Sequence, residues 1–218
     1  MASLREPADA RALGAPSGLW IAPRPLVLAS ASATRRGLLE SAGLPVETDP
    51  SRVDERAVER GSSKVAPAEL ALRLAEEKAL EVGRRRPERL VLGADQVLDL
   101  DGEVLHKPAD RREALEHLRR LAGRAHRLHS AVALARGGAL LDGFVASATL
   151  TMRALGQDAM DRYVEAAGDA ALSGAGAYQV EGLGVHLFEA IEGDHATILG
   201  LPLIPLLARL RGLGCLAV

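Results

Sequence analysis

The residues of this chain that could do chemistry together are concentrated in one stretch, Leu90 to Pro108, which reads LVLGADQVLDLDGEVLHKP. Leu90, Val91 and Leu92 form a short apolar β-prone run, Gly93 predicts a break, and Asp95 and Gln96 follow beyond it. An acid just past a buried strand stands where open α/β sheets bind ligands. Val97 to Leu100, Asp101-Gly102 and Glu103 to Leu105 predict a hairpin, since Asp-Gly is a strong signal for a two-residue turn. Lys107 ends the return strand roughly level with Asp95. A carboxylate and an ammonium at the same end of a sheet suit a metal-bound phosphate chain. Either one alone reads as a turn acid or a solvated lysine.

A second candidate anion site precedes this stretch. The apolar run Leu26 to Ala29 predicts a strand, and Ser30 to Arg36 leads into a helix closed by Gly43. Ser32 is placed as N-cap, which leaves backbone N–H groups of the first turn available to an anion, and Arg35 and Arg36 add positive charge there. Basic residues oppose the helix dipole at that end and cost stability unless an anion binds. The segment is not a Walker loop, because its glycines and terminal Lys-Ser/Thr are absent. Further on, Ser51 to Glu55 reads as a loop ending in two adjacent acids. A helix from Pro67 to Gly83 follows, with Leu70, Leu74, Lys78 and Val82 on one stripe. Lys78 therefore shares the core face, either snorkelling to water with its stem packed or turned inward toward a phosphate.

The elements that must position these groups alternate between strand and helix. Val46 to Thr48 predicts a strand, Asp110 with Glu113 a capping-box-like helix start, and Leu128 to Met152 a long antiparallel hairpin turned at Gly137-Gly138. His126 and His129 fall on opposite strand faces, which argues against a metal pair. Gln157 to Ala167 predicts a helix, and Gly174 to Gly184 a glycine-rich connector that permits close approach to a ligand. Val185 to Ile191 predicts a strand, and Leu201 to Leu210 a last helix with Pro202 near its first turn.

Composition narrows the function classes. With 218 residues, 48% hydrophobic and 26% charged, the chain fits one large α/β domain, residues 25–214, behind a flexible extension over 1–24. A formal charge of -2 argues against a sequence-independent grip on long nucleic acid, and 2% aromatic residues leave little for base-stacking platforms. No apolar run reaches the roughly 18 residues of a membrane span. The single cysteine, Cys215, excludes an internal disulfide and any multi-cysteine zinc site, and suits a cytoplasmic protein.

Read in order, the motifs resemble the Maf family of nucleoside triphosphate pyrophosphatases from about Leu26 to Leu213. They are Leu-Ala-Ser-x-Ser-x-x-Arg-Arg at 28 to 36, Val-Asp-Glu at 53 to 55, Arg-Leu-Ala-x-x-Lys-Ala at 73 to 79, Gly-Ala-Asp at 93 to 95, Lys-Pro at 107, Glu-Gly-Leu-Gly at 181 to 184 and Gly-Leu-Pro at 200 to 202. The resemblance implies a single α/β fold, shared with ITPase-like proteins, in which helices flank a long, mixed, twisted sheet and a cleft separates two lobes. It implies hydrolysis between the α and β phosphates of a nucleotide with a divalent metal, Mg²⁺ or Mn²⁺, and suggests a homodimer. Matched by position, Ser32, Arg35, Glu55, Lys78, Asp95 and Lys107 correspond to the family's active-site set, with Asp95 as proton acceptor. Glu55 and Asp95 supply the hard oxygen ligands such metals prefer, and Arg35 could grip phosphate as a bidentate fork.

Within the family, Gln96 after Gly-Ala-Asp and Glu181 before Gly-Leu-Gly resemble the subgroup that hydrolyses 7-methyl-GTP. A carboxylate at Glu181 could accept from the N1–H and N2–H₂ edge of guanine and would favour a methylated, cationic ring. Thr34 is the departure, because that subgroup carries a Trp there that could cover a cationic base. Two other readings follow from the resemblance: a pyrophosphatase for dTTP and UTP, and a nucleotide-binding regulator of septum formation. A pure binder needs no water activation, so the presence of Glu55, Asp95 and both lysines favours an enzyme.

Overall fold

The computed structural model describes residues 18–62 and 65–218. Its first strand, β1 (Leu26–Leu28), is wholly buried, and after helix α1 (Ala33–Ser41) strand β2 (Val46–Thr48) pairs parallel to it. Helix α2 (Glu55–Gly61) is capped by Asp54, and Pro67 opens the long helix α3 (Pro67–Arg85). Strand β3 (Val91–Leu100) pairs parallel to β1 and turns through Asp101 and Gly102, at φ of 54° and 89°, into β4 (Glu103–Leu105). Positive φ at both central residues is what the Asp-Gly pair predicts. Helix α4 (Arg111–Leu121) leads to the hairpin of β5 (Ala125–Arg136) and β6 (Ala139–Met152), then to α5 (Gln157–Ala167) and α6 (Ala170–Ser173). Strand β7 (Phe188–Glu192) and helices α7 (His195–Ile198) and α8 (Leu203–Gly212) complete the chain.

The seven strands form one mixed sheet in the order β2-β1-β3-β5-β6-β7, with β4 beside β3. Alternation along β3 assigns its two faces. Gly93, Asp95 and Val97 face α3, while Leu92 and Ala94 join a cluster with Leu28, Leu39 and Leu206, and Leu98 and Leu100 join another with Leu118, Leu128 and Leu150. The same-face residue between these two clusters is Gln96. The expected cleft takes its apolar lining from the Leu98 cluster, through Leu105 and Leu128, and from the α3 cluster, through Leu74 and Val97.

Several expectations are corrected. Gly93 does not break the strand; β3 runs through it, and Asp95 lies mid-strand. Gly93 is required instead by the approach of α3, since a Cβ there would lie 2.1 Å from the Ala75 carbonyl oxygen and 2.7 Å from the Ala79 nitrogen. Glu55 begins a helix rather than ending a loop. Residues 185–187 belong to a 3-10 turn (Leu183–Leu187), so the following strand starts at Phe188, and the last helix starts at Leu203 because Pro202 occupies its N-cap. Gly184 is required by the chain itself, since a Cβ there would meet the Gln179 carbonyl oxygen at 2.3 Å.

The expected flexible extension falls partly outside the described residues, at 1–17. Within residues 18–24 the chain is tied to its C-terminal part at two points: Trp20, which is buried, pairs with Leu216, and Ile21 donates its N–H to the Cys215 carbonyl at 3.0 Å. Trp20, Cys215 and Leu216 are buried together beside α8, because the indole supplies apolar area that the short strand β1 leaves uncovered. The two histidines have separate roles, His126 meeting the Tyr178 hydroxyl at 2.7 Å and His129 bridging Asp99 and Ser147. Among the described residues no helix is long and apolar enough to cross a membrane.

Candidate active site

A cleft of about 1060 Å³ opens over the middle of β3, and all nine residues singled out from the sequence line it: Ser32, Thr34, Arg35, Glu55, Lys78, Asp95, Gln96, Lys107 and Glu181. They come from five separate parts of the chain, which the sheet and α3 bring together.

The centre is built on Lys78. The small residues Ala71, Ala75, Ala79 and Gly83 let α3 lie close on the sheet, and Lys78 from the same helix is 7% exposed. It does not snorkel. Its ammonium donates to Asp95 Oδ1 at 2.5 Å and lies 2.7 Å from Glu55 Oε1. A buried ammonium is tolerated only when its charge is met, and here two carboxylates from different elements meet it. Asp95 is equally buried, whereas the Glu55 side chain is 54% exposed and faces the open cleft.

The Ser32 turn forms as the sequence predicts. Ser32 Oγ accepts from the Arg35 N–H at 3.2 Å, and the first turn of α1 contains no acid. Arg35, however, gives two of its three guanidinium nitrogens to the protein. Its Nε donates to the Gly200 carbonyl at 2.9 Å and its Nη1 to the Ala94 carbonyl at 2.9 Å, which ties α1 to β3 and to the loop before α8. Desolvation by burial lowers its pKa below the ordinary arginine value, while Asp95 and Glu55 pull it back up. Gln96 is also turned inward: its Nε2 donates to Ser130 Oγ at 2.9 Å and to the Ile198 carbonyl at 2.9 Å. Two carbonyls and a hydroxyl around that atom require a donor there.

Thr34 is partly buried beside the Ser32 turn, and Glu181 is exposed in the part of the lining that follows Tyr178, Gln179 and Val180 in the chain. Lys107 follows β4, beyond the Leu98 to Leu105 pairing that sets the hairpin register. Four further polar residues, Arg56, Glu59, Arg60 and His106, line the cleft and escaped the sequence reading. The signal for α2 was present in Asp54 as N-cap, Glu55 in the first turn and Arg60 in the last, but the helix is short and carries no apolar period long enough to show.

A mixed α/β sheet carrying a large cleft lined by both basic and carboxylate side chains has the form of a small-molecule site, with groups of both charges converging in one concavity. The family profile described as Maf-like protein matches residues 25–213, and this chain belongs to the Maf family. A nucleoside triphosphate pyrophosphatase from Nitrobacter winogradskyi is 56% identical over 193 residues, 88% of this chain and 96% of its own. One of the same description from Rhodopseudomonas palustris is 55% identical over the same shares. A 7-methyl-GTP pyrophosphatase from Rhizobium etli is 52% identical over 191 residues, 87% of this chain and 96% of its own. Among solved structures, a HAM1 protein from Coxiella burnetii aligns over 59% of this chain and 72% of its own, at 15% identity and a TM-score of 0.40.

Proposed function

We propose that this protein hydrolyses the anhydride between the α and β phosphates of a nucleoside triphosphate, releasing the monophosphate and pyrophosphate, and that 7-methyl-GTP is its leading substrate. The observation that carries the reading is the Glu55–Lys78–Asp95 cluster in a cleft shared with the Ser32 turn and Lys107. The names of the relatives support the reaction, and the Rhizobium etli protein together with Glu181 supports the base. Removal of modified nucleotides from the pool is the role this chemistry suits.

A triphosphate carries about three to four negative charges, and the departing pyrophosphate gains more, so fixed positive charge in the cleft lowers the barrier. Lys107 supplies a point charge at the exposed side of the cleft, and Lys78 orients Asp95 beside the site of attack. Asp95 takes the proton of the attacking water, which needs a carboxylate within hydrogen-bond reach.

Glu55 and Asp95 fit a divalent cation by the chemistry of their donors: both are hard oxygen ligands, and since both reach the Lys78 ammonium they lie close to one another. Among the described residues no group of three or more His, Cys, Asp or Glu stands ready to hold a metal unaided. That pattern suits Mg²⁺ or Mn²⁺, which one or two carboxylates bind together with substrate oxygens. When bound, such an ion neutralises charge developing on the phosphates.

The test is pyrophosphate release from GTP, 7-methyl-GTP, dTTP, UTP and CTP with Mg²⁺ or Mn²⁺, run beside Asp95→Asn. Preference for 7-methyl-GTP with loss in the variant supports the proposal. Preference for dTTP or UTP keeps the reaction and overturns the base assignment. No release from any nucleotide, with binding retained, would make the protein a nucleotide-sensing regulator instead.

A further inference from the structure

Glu55, Arg56, Glu59 and Arg60 occupy positions i, i+1, i+4 and i+5 of α2, so they share one helix face, and that face lines the cleft. Helix α2 fully buries none of its residues; Val58 packs against the cluster beneath α3, and the face toward the cleft is held by charge. Three of the four side chains are already matched: Glu55 to Lys78 at 2.7 Å, Glu59 to His106 at 3.8 Å, and Arg60 to Asp54 at 3.9 Å. Arg56 has no ion pair or hydrogen bond among the described residues, and it is exposed.

The other cleft cations sharpen the contrast. Arg35 is engaged by two backbone carbonyls and Lys78 by two carboxylates. Only Arg56 and Lys107 remain without a partner among the described cationic residues of the cleft. An unpaired guanidinium beside Glu55 meets an anion from the cleft side without breaking any contact the fold already uses. A guanidinium offers two parallel donors, the geometry that phosphate oxygens accept.

We propose that Arg56 binds the distal phosphates of the substrate, the pair that leaves as pyrophosphate, from the α2 side of the cleft while Lys107 binds them from the β4 side. The proposal rests on the pyrophosphatase reading for its substrate, but it concerns a residue to which the family motifs assign no role. Because α2 also carries Glu55, an anion held by Arg56 draws the helix and the Glu55 carboxylate onto the cleft together. Arg56 therefore discriminates nucleotides by phosphate-chain length, whatever their base.

The experiment is calorimetric titration of the full chain with sodium pyrophosphate and, separately, with GMP, for the unmutated protein, Arg56→Ala and Arg56→Lys. Arg56→Ala should weaken pyrophosphate binding by roughly tenfold or more, as loss of a charge-assisted hydrogen bond does, and leave GMP binding within about twofold. Arg56→Lys should recover only part of the loss, since an ammonium lacks the fork. Pyrophosphate binding equal in Arg56→Ala and the unmutated protein, no pyrophosphate binding by either, or equal weakening for pyrophosphate and GMP would each overturn the assignment. Binding that depends on Arg56 in a protein that turns over no nucleotide would instead sink the proposed activity and keep the Arg56 assignment.

Discussion

Lys78 on α3 lies 2.5 Å from Asp95 Oδ1 on β3, seventeen residues along the chain, with about nine-tenths of each side chain hidden from water. The contact joins the helix that covers one sheet face to the strand that floors the cleft, and so links stability to chemistry in one pair. Removing one member of such a pair leaves the other as a buried, uncompensated charge.

Lys78→Met should therefore lower stability by about 3 kcal/mol, chiefly through Asp95, because the half-exposed Glu55 keeps much of its hydration. Lys78→Met combined with Asp95→Asn should recover more than half of that loss. Urea unfolding of the two single variants and the double variant gives the coupling directly, and a coupling below about 0.5 kcal/mol would mean that the two groups are energetically independent. Both variants should lose turnover, so stability and activity separate in the double variant.

Gly93→Ala tests the seat of α3. Its new methyl would overlap the Ala75 carbonyl oxygen and the Ala79 nitrogen, which are backbone atoms and cannot rotate aside. Helix α3 must retreat and carry Lys78 away from Asp95. A loss of about 3 kcal/mol is expected, at the upper end for overpacking, along with a fall in activity greater than partial unfolding explains. Thermal melting checks the first and turnover per folded molecule the second; an unchanged melting temperature would mean that the close approach is not needed.

The strands and most helices could be read from the sequence because their signals are local: the Asp101-Gly102 turn, the Ser32 cap, the stripe through Leu70, Leu74, Lys78 and Val82. Gly93 was misread for a physical reason. Glycine in a strand signals either a break or the close approach of another backbone, and only the position of α3 decides between them. The inward turn of Lys78 was left open for the same reason, since the carboxylates that stabilise it come from β3 and α2. Arg35 and Gln96 line the cleft, but their hydrogen bonds go to carbonyls of residues 94, 198 and 200, and no spacing rule anticipates a side chain bonded to distant backbone.

Stability should fall as the medium becomes acidic, and His126 is the main cause. Burial pushes its pKa down to about 4 from 6.5, so below about pH 6.5 the unfolded chain takes up a proton that the folded chain refuses. The folded state consequently loses stability between about pH 6.5 and pH 4 and changes little below that through this group. The full gap corresponds to about 3 kcal/mol. His117, lowered by the same cause, adds to the effect with the same sign. His126→Gln keeps a hydrogen-bonding group near the Tyr178 hydroxyl without a titrating proton, and should flatten the urea midpoint between pH 7 and pH 4.5. A slope equal to that of the unmutated protein would assign the effect to other groups.

Gln96 separates a structural role from recognition of the base. Its Nε2 bonds to Ser130, Thr197 and Ile198 brace β3 against α7, and Ile198 and Leu199 form part of the cleft wall. Gln96→Ala should cost about 1–3 kcal/mol of stability, because buried acceptors lose their donor. It should also reduce kcat/KM for GTP and 7-methyl-GTP by similar factors, since a shifted wall harms both. Glu181→Gln, at an exposed position of the cleft lining, should instead reduce the 7-methyl-GTP to GTP preference by about tenfold, because only the methylated ring carries the positive charge that a carboxylate favours. Thr34→Trp should increase the same preference by placing an aromatic face within reach of that charge. A Gln96→Ala variant whose preference shifts as far as that of Glu181→Gln would make Gln96 a reader of the base despite its inward bonds, and would mean that substrate binding breaks those bonds before turnover.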